Sequence, residues 1–371
     1  MRYSRMIMEV ESPEEIGYEH LRYNLAESSM ADRRLGTLAQ GMEDLVLCYG
    51  DHRGRPDLRA EIAAASGGGV TPEDVLVSVG AAGALFTVAT ALLGAGDRLV
   101  VTRPNYASNL ETPRAIGADV AILDLDIATG FRVDPAALSA LITPGTRLVS
   151  VTSPHNPTGT VLPWKDLATI AEVCARAGAH LLVDETYRDL SANPTPLAAT
   201  LGDHVISVSS LSKTYGVPGI RVGWIVSRDR ALMTTFLAAK EQIALAHSVI
   251  DEAIALAILR QRATLLPEIR AIAQRHQHIV EQWITQEKRL AWVRPEGGVV
   301  CFPCIRPDLG IDPDAFHRRL NEQYRTWLGP GHWFEQDARF FRLGFGYPST
   351  DDLPVALRNI SLALDDVEKG L

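Results

Sequence analysis

The chain has 371 residues, 46% of them hydrophobic and 22% charged, which is typical of a soluble globular protein with a large core and enough length for two domains. A formal net charge of −9 argues against a nucleic-acid partner and against binding to anionic membranes. No apolar run reaches the length of a membrane span, and the first residues lack a signal-peptide core. The four cysteines fit a reducing compartment, so we predict a cytoplasmic protein. Cys301 and Cys304 form a C-x-x-C motif without a second pair, and we predict no metal site there.

Residues 1 to about 40 are irregular and contain many glutamates. This composition predicts a solvated arm with a short helix. We assign residues 1–45 to an N-terminal arm that is in part associated with a small domain. Residues 46–250 are assigned to a large domain, and residues 251–371 to the small C-terminal domain.

From about residue 70 the chain alternates short apolar runs with helical patterns. Continuous apolar strands separated by helices predict an α/β fold, with a mostly parallel sheet covered by helices on both faces. Gly80, Asn156, Asp184 and Lys213 each follow the end of a predicted strand. Because ligands of such sheets bind at the carboxyl ends of the strands, we expect these four residues to share one site. The predicted strands are Val75–Val79, Arg98–Thr102, Val120–Asp124, Arg147–Thr152, His180–Val183, Val205–Ser209 and Val222–Val226.

Beyond residue 228 the sequence predicts long helices to about Gln286, followed by a smaller α/β lobe. Leu290–Val293 and Val299–Ile305 are expected to pair as strands. The remaining predicted elements of this lobe are a helix at Pro313–Tyr324, a strand at Phe340–Phe345 and a final helix from about Ser349.

Lys213 lies just past a buried strand, in the run Ser210-Leu-Ser-Lys213. Burial favours the neutral amine, which is the form that condenses with a carbonyl. Eight residues later, Arg221 offers the forked donors that suit a phosphate. An amine beside a phosphate site suggests a phosphorylated aldehyde held by the lysine. The alternative is an ordinary surface lysine in a loop.

Four segments in the same order resemble the class I and II aminotransferases of fold type I. They are Tyr49 with Gly54 and Leu58-Arg59, Asn156-Pro-Thr-Gly159, Asp184-Glu-Thr-Tyr187, and Ser210-Leu-Ser-Lys213 with Arg221-Val-Gly223. The resemblance implies pyridoxal 5′-phosphate as the cofactor, and an amino acid and a 2-oxo acid as substrates. It also implies a large sheet domain and a smaller C-terminal domain joined by the N-terminal segment.

The resemblance implies a role for each cofactor residue. Lys213 would bind the cofactor and then move a proton, and Asp184 would pair with the ring nitrogen. A buried carboxylate needs such a cationic partner. Asn156 and Tyr187 would bond the ring oxygen, and Tyr106 would stack on the ring unless it is a plain core tyrosine. The phosphate would be bound by Gly80, Ala81 and Ala82 at a helix N-terminus, by Ser210 and Arg221, and by Tyr49 reaching across a homodimer with shared sites.

Substrate binding is implied for Arg342, which resembles the arginine that grips the α-carboxylate, together with Asn156. An edge-strand arginine facing water is the alternative. Relatives often carry a glycine where Ala26, Glu27 and Ser28 stand here. A carboxylate at Glu27 would suit a cationic amino acid such as arginine, although aromatic or neutral donors stay open.

The same scaffold also supports elimination, capreomycidine-synthase-like cyclisation and oxidation, so the fold alone does not select the reaction. His155 is interpreted as a turn residue without a chemical role. A cofactor sensor without catalytic activity, of the kind attached to some transcription regulators, is disfavoured because the acidic N-terminal residues do not suit a DNA-binding domain.

Overall fold

The computed structural model describes residues 1–38, 41–191 and 193–371. In chain order its strands are β1 Tyr23–Asn24, β2 Val75–Val79, β3 Arg98–Arg103, β4 Asp119–Asp124, β5 Thr146–Thr152, β6 His180–Asp184, β7 Val205–Ser210, β8 Val222–Val226, β9 Leu290–Ala291, β10 Val300–Cys301, β11 Cys304–Ile305, β12 Thr326–Trp327, β13 Gly329–Pro330 and β14 Phe341–Gly344. Its α-helices are α1 Ile7–Val10, α2 Pro13–Ile16, α3 Pro56–Ser66, α4 Gly80–Leu92, α5 Ser108–Ile116, α6 Pro135–Leu141, α7 Trp164–Ala177, α8 Arg230–Glu241, α9 Val249–Arg260, α10 Arg262–Gln286, α11 Pro313–Tyr324 and α12 Asp352–Glu368.

A seven-stranded sheet with the order β2-β8-β7-β6-β5-β3-β4 forms the centre of the fold. Strands β3 to β7 pair in parallel, whereas β8 runs antiparallel to both of its neighbours, β7 and β2. The predicted α/β fold with a mostly parallel sheet is therefore confirmed, and each of the seven predicted strands is present to within a residue at either end. The two antiparallel pairings were not predicted.

Helices cover both faces of this sheet because consecutive strand residues point to opposite sides. Leu99 and Val101 pack with α4 and α8 in one apolar cluster, whereas Val100 packs with α6 and α7 in another. Each helix therefore buries its apolar stripe, and the carboxyl ends of the parallel strands are left as the open edge of the domain.

The C-terminal lobe is built on α10, α11 and α12 with short strands between them. Strand β14 lies between β10 and β13, and β9 pairs antiparallel with β11. The predicted pairing of Leu290–Val293 with Val299–Ile305 is thus present over two residues of each, Leu290 opposite Ile305 and Ala291 opposite Cys304. The predicted helix Pro313–Tyr324 has these same bounds.

The N-terminal segment joins this lobe through β1, which pairs in parallel with β12. The domain boundaries at residues 45 and 250 stay a prediction. Within the described ranges, no helix is long and apolar enough for a membrane span, and no group of three or more His, Cys, Asp or Glu side chains is arranged to hold a metal. Cys301 and Cys304 are both buried.

Candidate active site

A cavity of about 310 Å³ lies where the large sheet, the N-terminal segment and the C-terminal lobe meet. Of the four residues expected to converge after their strands, Asn156, Asp184 and Lys213 lie in the wall, whereas Gly80 is next to the wall residue Ala81 and does not itself line the cavity. The other predicted site residues in the wall are Glu27, Ser28, Ala81, Ala82, Tyr106, Tyr187, Ser210, Arg221 and Arg342. Tyr49 lies outside the cavity, with 85% of its surface exposed.

One end of the cavity suits an anion. Helix α4 begins at Gly80 directly after β2, so its first backbone N–H groups have no intrahelical acceptors. Ala81 and Ala82, in that first turn, line the cavity beside Arg221 and Ser210. The Gly80 N–H donates to the Arg221 carbonyl at 2.8 Å. A helix N-terminus next to a guanidinium is a suitable phosphate site.

Two glycines make this close approach possible. Gly80 has φ +64°, and a Cβ there would lie 2.4 Å from Arg221 Nη2. A Cβ on Gly223 would lie 2.4 Å from the carbonyl carbon of Gly80. A larger residue at Gly223 would separate the helix N-terminus from β8, and one at Gly80 would displace the Arg221 guanidinium.

Asp184 is a buried carboxylate without a cationic neighbour bonded to it among the described residues. Its Oδ1 accepts from the Thr186 N–H at 3.0 Å and from the Thr186 hydroxyl at 2.6 Å. Burial raises the pKa of this carboxyl above its usual value, and the Thr186 bonds only partly offset that effect. A buried carboxylate of this kind needs a positive group, and the cationic ring nitrogen of pyridoxal phosphate would supply one.

Arg342 is a buried guanidinium, 5% exposed, in the cavity wall. Nη1 donates to Asn156 Oδ1 at 3.0 Å, and Nη2 donates to the carbonyl of Ala26 at 2.7 Å. Nε has no hydrogen-bond partner among the described residues, and the guanidinium lies 5.1 Å from the centroid of the Phe334 ring. Burial lowers the pKa of Arg342. A buried cation in the cavity wall, bonded only to neutral oxygens, suits a substrate carboxylate.

Lys213 makes a contact that the sequence did not suggest. Its Nζ lies 3.1 Å from Glu27 Oε1, in an ion pair whose lysine and glutamate side chains are 28% and 15% exposed. Burial alone would lower the pKa of Lys213, but the Glu27 carboxylate and Tyr187 outweigh it, so the pKa lies above its usual value. The expectation that burial leaves this amine neutral is therefore wrong for the cofactor-free chain.

Glu27 shows the matching effect. Burial tends to raise the pKa of its carboxyl, but Lys213 and the N–H of Ser28 lower it to about 2. The Ser28 N–H donates to Glu27 Oε1 at 2.9 Å. The Glu27 side chain is thus directed at the lysine amine, and the cation-binding role inferred from the sequence stays a prediction.

Residues 24–28 cross the cavity as a strap held by both lobes. Asn24 Oδ1 accepts from the N–H groups of Ala26 and Glu27 at 3.0 and 3.1 Å. The Tyr187 hydroxyl donates to the carbonyl of Ser28 at 2.7 Å. The Gly344 N–H donates to the carbonyl of Leu25 at 2.7 Å, and a Cβ at Gly344 would lie 1.8 Å from the carbonyl oxygen of Glu27.

Sequence reasoning missed Asn24 and Gly344 as residues that position this strap. A glycine inside the apolar strand at Phe340–Phe345 was an available signal, because such a glycine often marks a close backbone approach. For Asn24 the only local sign is an amide side chain two or three residues before the backbone groups that it binds.

The remaining predicted residues occupy different positions. Tyr106 lines the cavity, and burial raises the pKa of its hydroxyl. His155 is buried outside this cavity with Nδ1 2.8 Å from the Thr158 hydroxyl, and burial lowers its pKa to about 4. That His155 has no part in the chemistry stays a prediction.

Three further carboxylates lie in the cavity wall: Glu9 and Glu14, which belong to the acidic N-terminal arm, and Asp32. Glu9 Oε1 lies 3.4 Å from the Tyr106 hydroxyl, and Asp32 Oδ2 accepts from the Tyr347 hydroxyl at 3.2 Å. Within the described parts of the chain, none of the three forms an ion pair. This part of the wall therefore carries carboxylates to which no described cation is bonded, and Arg342 and Lys213 act on Glu9 and Asp32 only from beyond ion-pair distance.

Comparison with known proteins agrees with this geometry. The sequence profile of aminotransferase class I and II matches residues 27–360. The chain is 32% identical over 332 residues to the arginine–pyruvate transaminase of Pseudomonas aeruginosa, covering 85% of this chain and 81% of that protein. It is 31% identical over 319 residues to the capreomycidine synthase of Streptomyces vinaceus, covering 85% and 80%.

A solved structure extends the agreement to the whole chain. A PLP-dependent aminotransferase from Streptococcus suis superposes with a TM-score of 0.91 at 27% identity, covering 99% of both chains. The helix N-terminus with Arg221, the unpaired Asp184 and the lysine in the cavity fit a phosphate, a pyridine nitrogen and an aldehyde respectively. The chain therefore belongs to the class I and II aminotransferases, enzymes that depend on pyridoxal 5′-phosphate.

Proposed function

We propose that this aminotransferase takes its amino group from an amino acid with a positively charged side chain. The observation that carries the proposal is the negatively charged wall formed by Glu9, Glu14 and Asp32. A substrate ammonium or guanidinium would give these carboxylates the cationic partner that the described residues do not provide. The Pseudomonas relative, which is named for an arginine donor, supports the same class.

The cofactor residues are proposed on the positions described above. Pyridoxal phosphate, when bound, supplies an aldehyde that takes up amino groups and a ring that withdraws electrons from the substrate's α-carbon. Lys213 would hold the aldehyde, and Asp184 would face the ring nitrogen. Tyr106 would cover the ring and Asn156 would bond its oxygen, as would Tyr187 once its hydroxyl turns from the Ser28 carbonyl. The phosphate would be bound by Ala81, Ala82, Ser210 and Arg221, while Gly80, whose N–H already donates to the Arg221 carbonyl, lets the helix N-terminus approach Arg221.

The chain's own groups would orient the substrate and move one proton. Arg342 would bind the α-carboxylate of the donor, with Asn156 beside it and the strap residues Glu27 and Ser28 above. Once the donor amine has replaced the Lys213 amine on the cofactor, the Lys213 amine would be free to take the proton from the donor's α-carbon and to hold it for transfer. Fixing the carboxylate fixes which face of the α-carbon presents its C–H bond to Nζ.

A second reaction is supported by one finding. The similarity to a capreomycidine synthase, at 31% identity over most of both chains, keeps cyclisation of a guanidino amino acid as the alternative outcome on the same substrate class. Elimination and oxidation stay open as further outcomes that the fold permits.

A homodimer and a cytoplasmic location are proposed as well. Val46, Leu47 and Tyr49 are exposed by 73%, 72% and 85% in one continuous segment. Exposed apolar side chains in such a run are typical of an interaction surface. A second copy packed there would allow Tyr49 to reach its partner's phosphate site, as the resemblance implies.

The substrate class is tested by supplying the holoenzyme with arginine, lysine, leucine and phenylalanine, each with pyruvate, and measuring alanine and the new 2-oxo acid. We expect arginine or lysine to give a kcat/KM at least about tenfold above the neutral donors. The double variant Glu14→Gln/Asp32→Asn removes two charges that would pair with the donor's cation. Because each exposed charge pair typically contributes about 0.2–1 kcal/mol, KM for the cationic donor should rise by about threefold or more. Equal or better turnover of neutral donors would refute the substrate class.

A further inference from the structure

The contact between Glu27 and Lys213 is not explained by substrate binding. The strap is held by hydrogen bonds at Leu25, Ala26, Glu27 and Ser28, and the Glu27 carboxylate lies 3.1 Å from Nζ. We propose that Glu27 is a positioning residue for the lysine: its carboxylate orients the amine and stabilises the ammonium formed when Lys213 takes the substrate's proton. This inference rests on the proposed role of Lys213.

Glu27 cannot easily move away from the amine. The N–H of Glu27 is held by Asn24 Oδ1, and its carbonyl packs against Gly344 at a separation that admits no side chain. The Ser28 N–H holds the same oxygen, Oε1, that contacts Nζ. The carboxylate is therefore preorganised, and holding it there costs little further conformational entropy.

Among the residues that the structure describes, Glu27 is the carboxylate that contacts the amine. The groups that act on Lys213 include Glu27 from the strap, Tyr187 after β6, Arg342 on β14 and Tyr106 before α5, and Asp32 interacts with it from farther away. The Arg342 cation opposes a charged lysine, and the two tyrosines are weak acids. Removing the Glu27 charge would thus leave the amine facing a cation in a partly buried site, which favours its neutral form.

The consequence for the reaction is a stronger base. When the α-carbon C–H bond breaks, its electron pair stays on the substrate and the proton moves to Nζ, creating an ammonium. A carboxylate 3.1 Å away stabilises that charge as it forms. Because the Glu27 carboxylate interacts with the lysine and not with the donor's side chain, loss of its charge should affect every donor alike.

The test is the variant Glu27→Gln, which keeps size and removes charge. In the holoenzyme, the pH midpoint of the cofactor's visible absorbance reports protonation at the lysine nitrogen. We expect this midpoint to fall by about one pH unit or more, since an opposite charge at this distance shifts such equilibria at least about tenfold. In the cofactor-free Glu27→Gln protein, an acylating reagent that reacts with neutral amines should modify Lys213 about tenfold faster at fixed pH, as measured by peptide mass spectrometry.

Turnover gives an independent readout. Glu27→Gln should lower kcat by a similar factor for arginine and for leucine, and the kinetic isotope effect of α-deuterated donors should increase. Glu172→Gln makes the same chemical change on the exposed surface of α7, outside the cavity, so it should leave both the spectral midpoint and the acylation rate unchanged. Glu27→Asp, which keeps the charge, should lie nearer to the unmodified protein.

An unchanged midpoint in Glu27→Gln, or a loss confined to cationic donors, would overturn the proposal. If Glu27→Gln does not fold, the pH midpoint of Glu27→Asp is the deciding measurement. The aspartate keeps the charge but holds it farther from Nζ, so the midpoint should fall by less than about one pH unit, and an unchanged midpoint would contradict the proposal. Reductive trapping of the cofactor on a lysine other than Lys213 would instead refute the proposed site, so the two failures are distinguishable.

Discussion

Asp184 should destabilise the cofactor-free protein while it serves the cofactor. Its carboxylate is buried, and Thr186 is its hydrogen-bond donor. Asparagine at this position keeps an acceptor oxygen for Thr186 and removes the charge. We therefore expect Asp184→Asn to raise the stability of the cofactor-free protein and to weaken the binding of pyridoxal phosphate.

The magnitude follows from the burial. An incompletely paired buried group costs about 1–3 kcal/mol, and more when it is charged. For a chain of this length, each kcal/mol of stability shifts the melting temperature by roughly 2 °C or less. The cofactor-free variant should therefore melt about 2–5 °C higher than the unmodified protein. The lost charge pair with the cofactor typically costs about 2–5 kcal/mol, so saturating pyridoxal phosphate should raise the melting temperature of the variant much less than that of the unmodified protein.

The pH dependence has a definite sign. Because burial raises the pKa of Asp184 in the folded state, its cost is fully present at pH values above that pKa. The cost decreases as the pH falls and is absent below the unfolded value of 3.8. The stability difference between Asp184→Asn and the unmodified protein should therefore shrink on acidification.

Asp189 provides a matched control five residues away. It accepts from Arg262 Nη2 and from the Tyr215 hydroxyl, both at 2.8 Å, and these bonds outweigh burial and lower its pKa. Asp189→Asn should lower the melting temperature, the opposite sign to Asp184→Asn. A lower melting temperature for cofactor-free Asp184→Asn, or an undiminished response to pyridoxal phosphate, would refute the reasoning.

Two other substitutions test the carboxylate site and the strap. Arg342→Lys keeps a positive charge but loses the forked donors, so KM for the amino donor should rise at least about tenfold in steady-state assays, at about 1.5–3 kcal/mol per charged hydrogen bond; an unchanged KM would remove Arg342 from the carboxylate site. Gly344→Ala places a Cβ 1.8 Å from the carbonyl of Glu27, so it should displace the strap, lower kcat and lower the melting temperature. Normal values of both would contradict the tight approach.

The sequence predicted those parts of the fold that depend on local pattern. Apolar runs separated by helices identified the seven strands of the large sheet. The expectation that ligands bind at the carboxyl ends of these strands then pointed to Asn156, Asp184 and Lys213, which lie in the cavity wall. The direction of β8 was not predictable in this way, because an apolar run such as Val222–Val226 reads the same in either orientation. Only pairing with β2 and β7 defines it.

The errors concern contacts between distant parts of the chain. Lys213 was expected to be neutral because burial was considered alone, whereas Glu27 lies 186 residues earlier and reaches Nζ only in the folded chain. The carboxylates Glu9, Glu14 and Asp32 belong to an arm that was interpreted as mostly solvated, yet they line the cavity. The four motif segments of the family indicated the cofactor site, and the resemblance extended to the strap at Ala26, Glu27 and Ser28 but did not indicate the contact of Glu27 with Lys213.

Reduction of the holoenzyme with borohydride, followed by peptide mapping, tests the central claim most directly. The claim is that Lys213, which lies in the cavity with Asp184 and Arg221, binds the aldehyde of pyridoxal phosphate. The account predicts one modified peptide, with the pyridoxyl group on Lys213, and no such label in Lys213→Ala. That variant should still bind the cofactor through its ring and phosphate, with turnover reduced by at least about 10²-fold. A label on another lysine, or turnover near normal in Lys213→Ala, would contradict it.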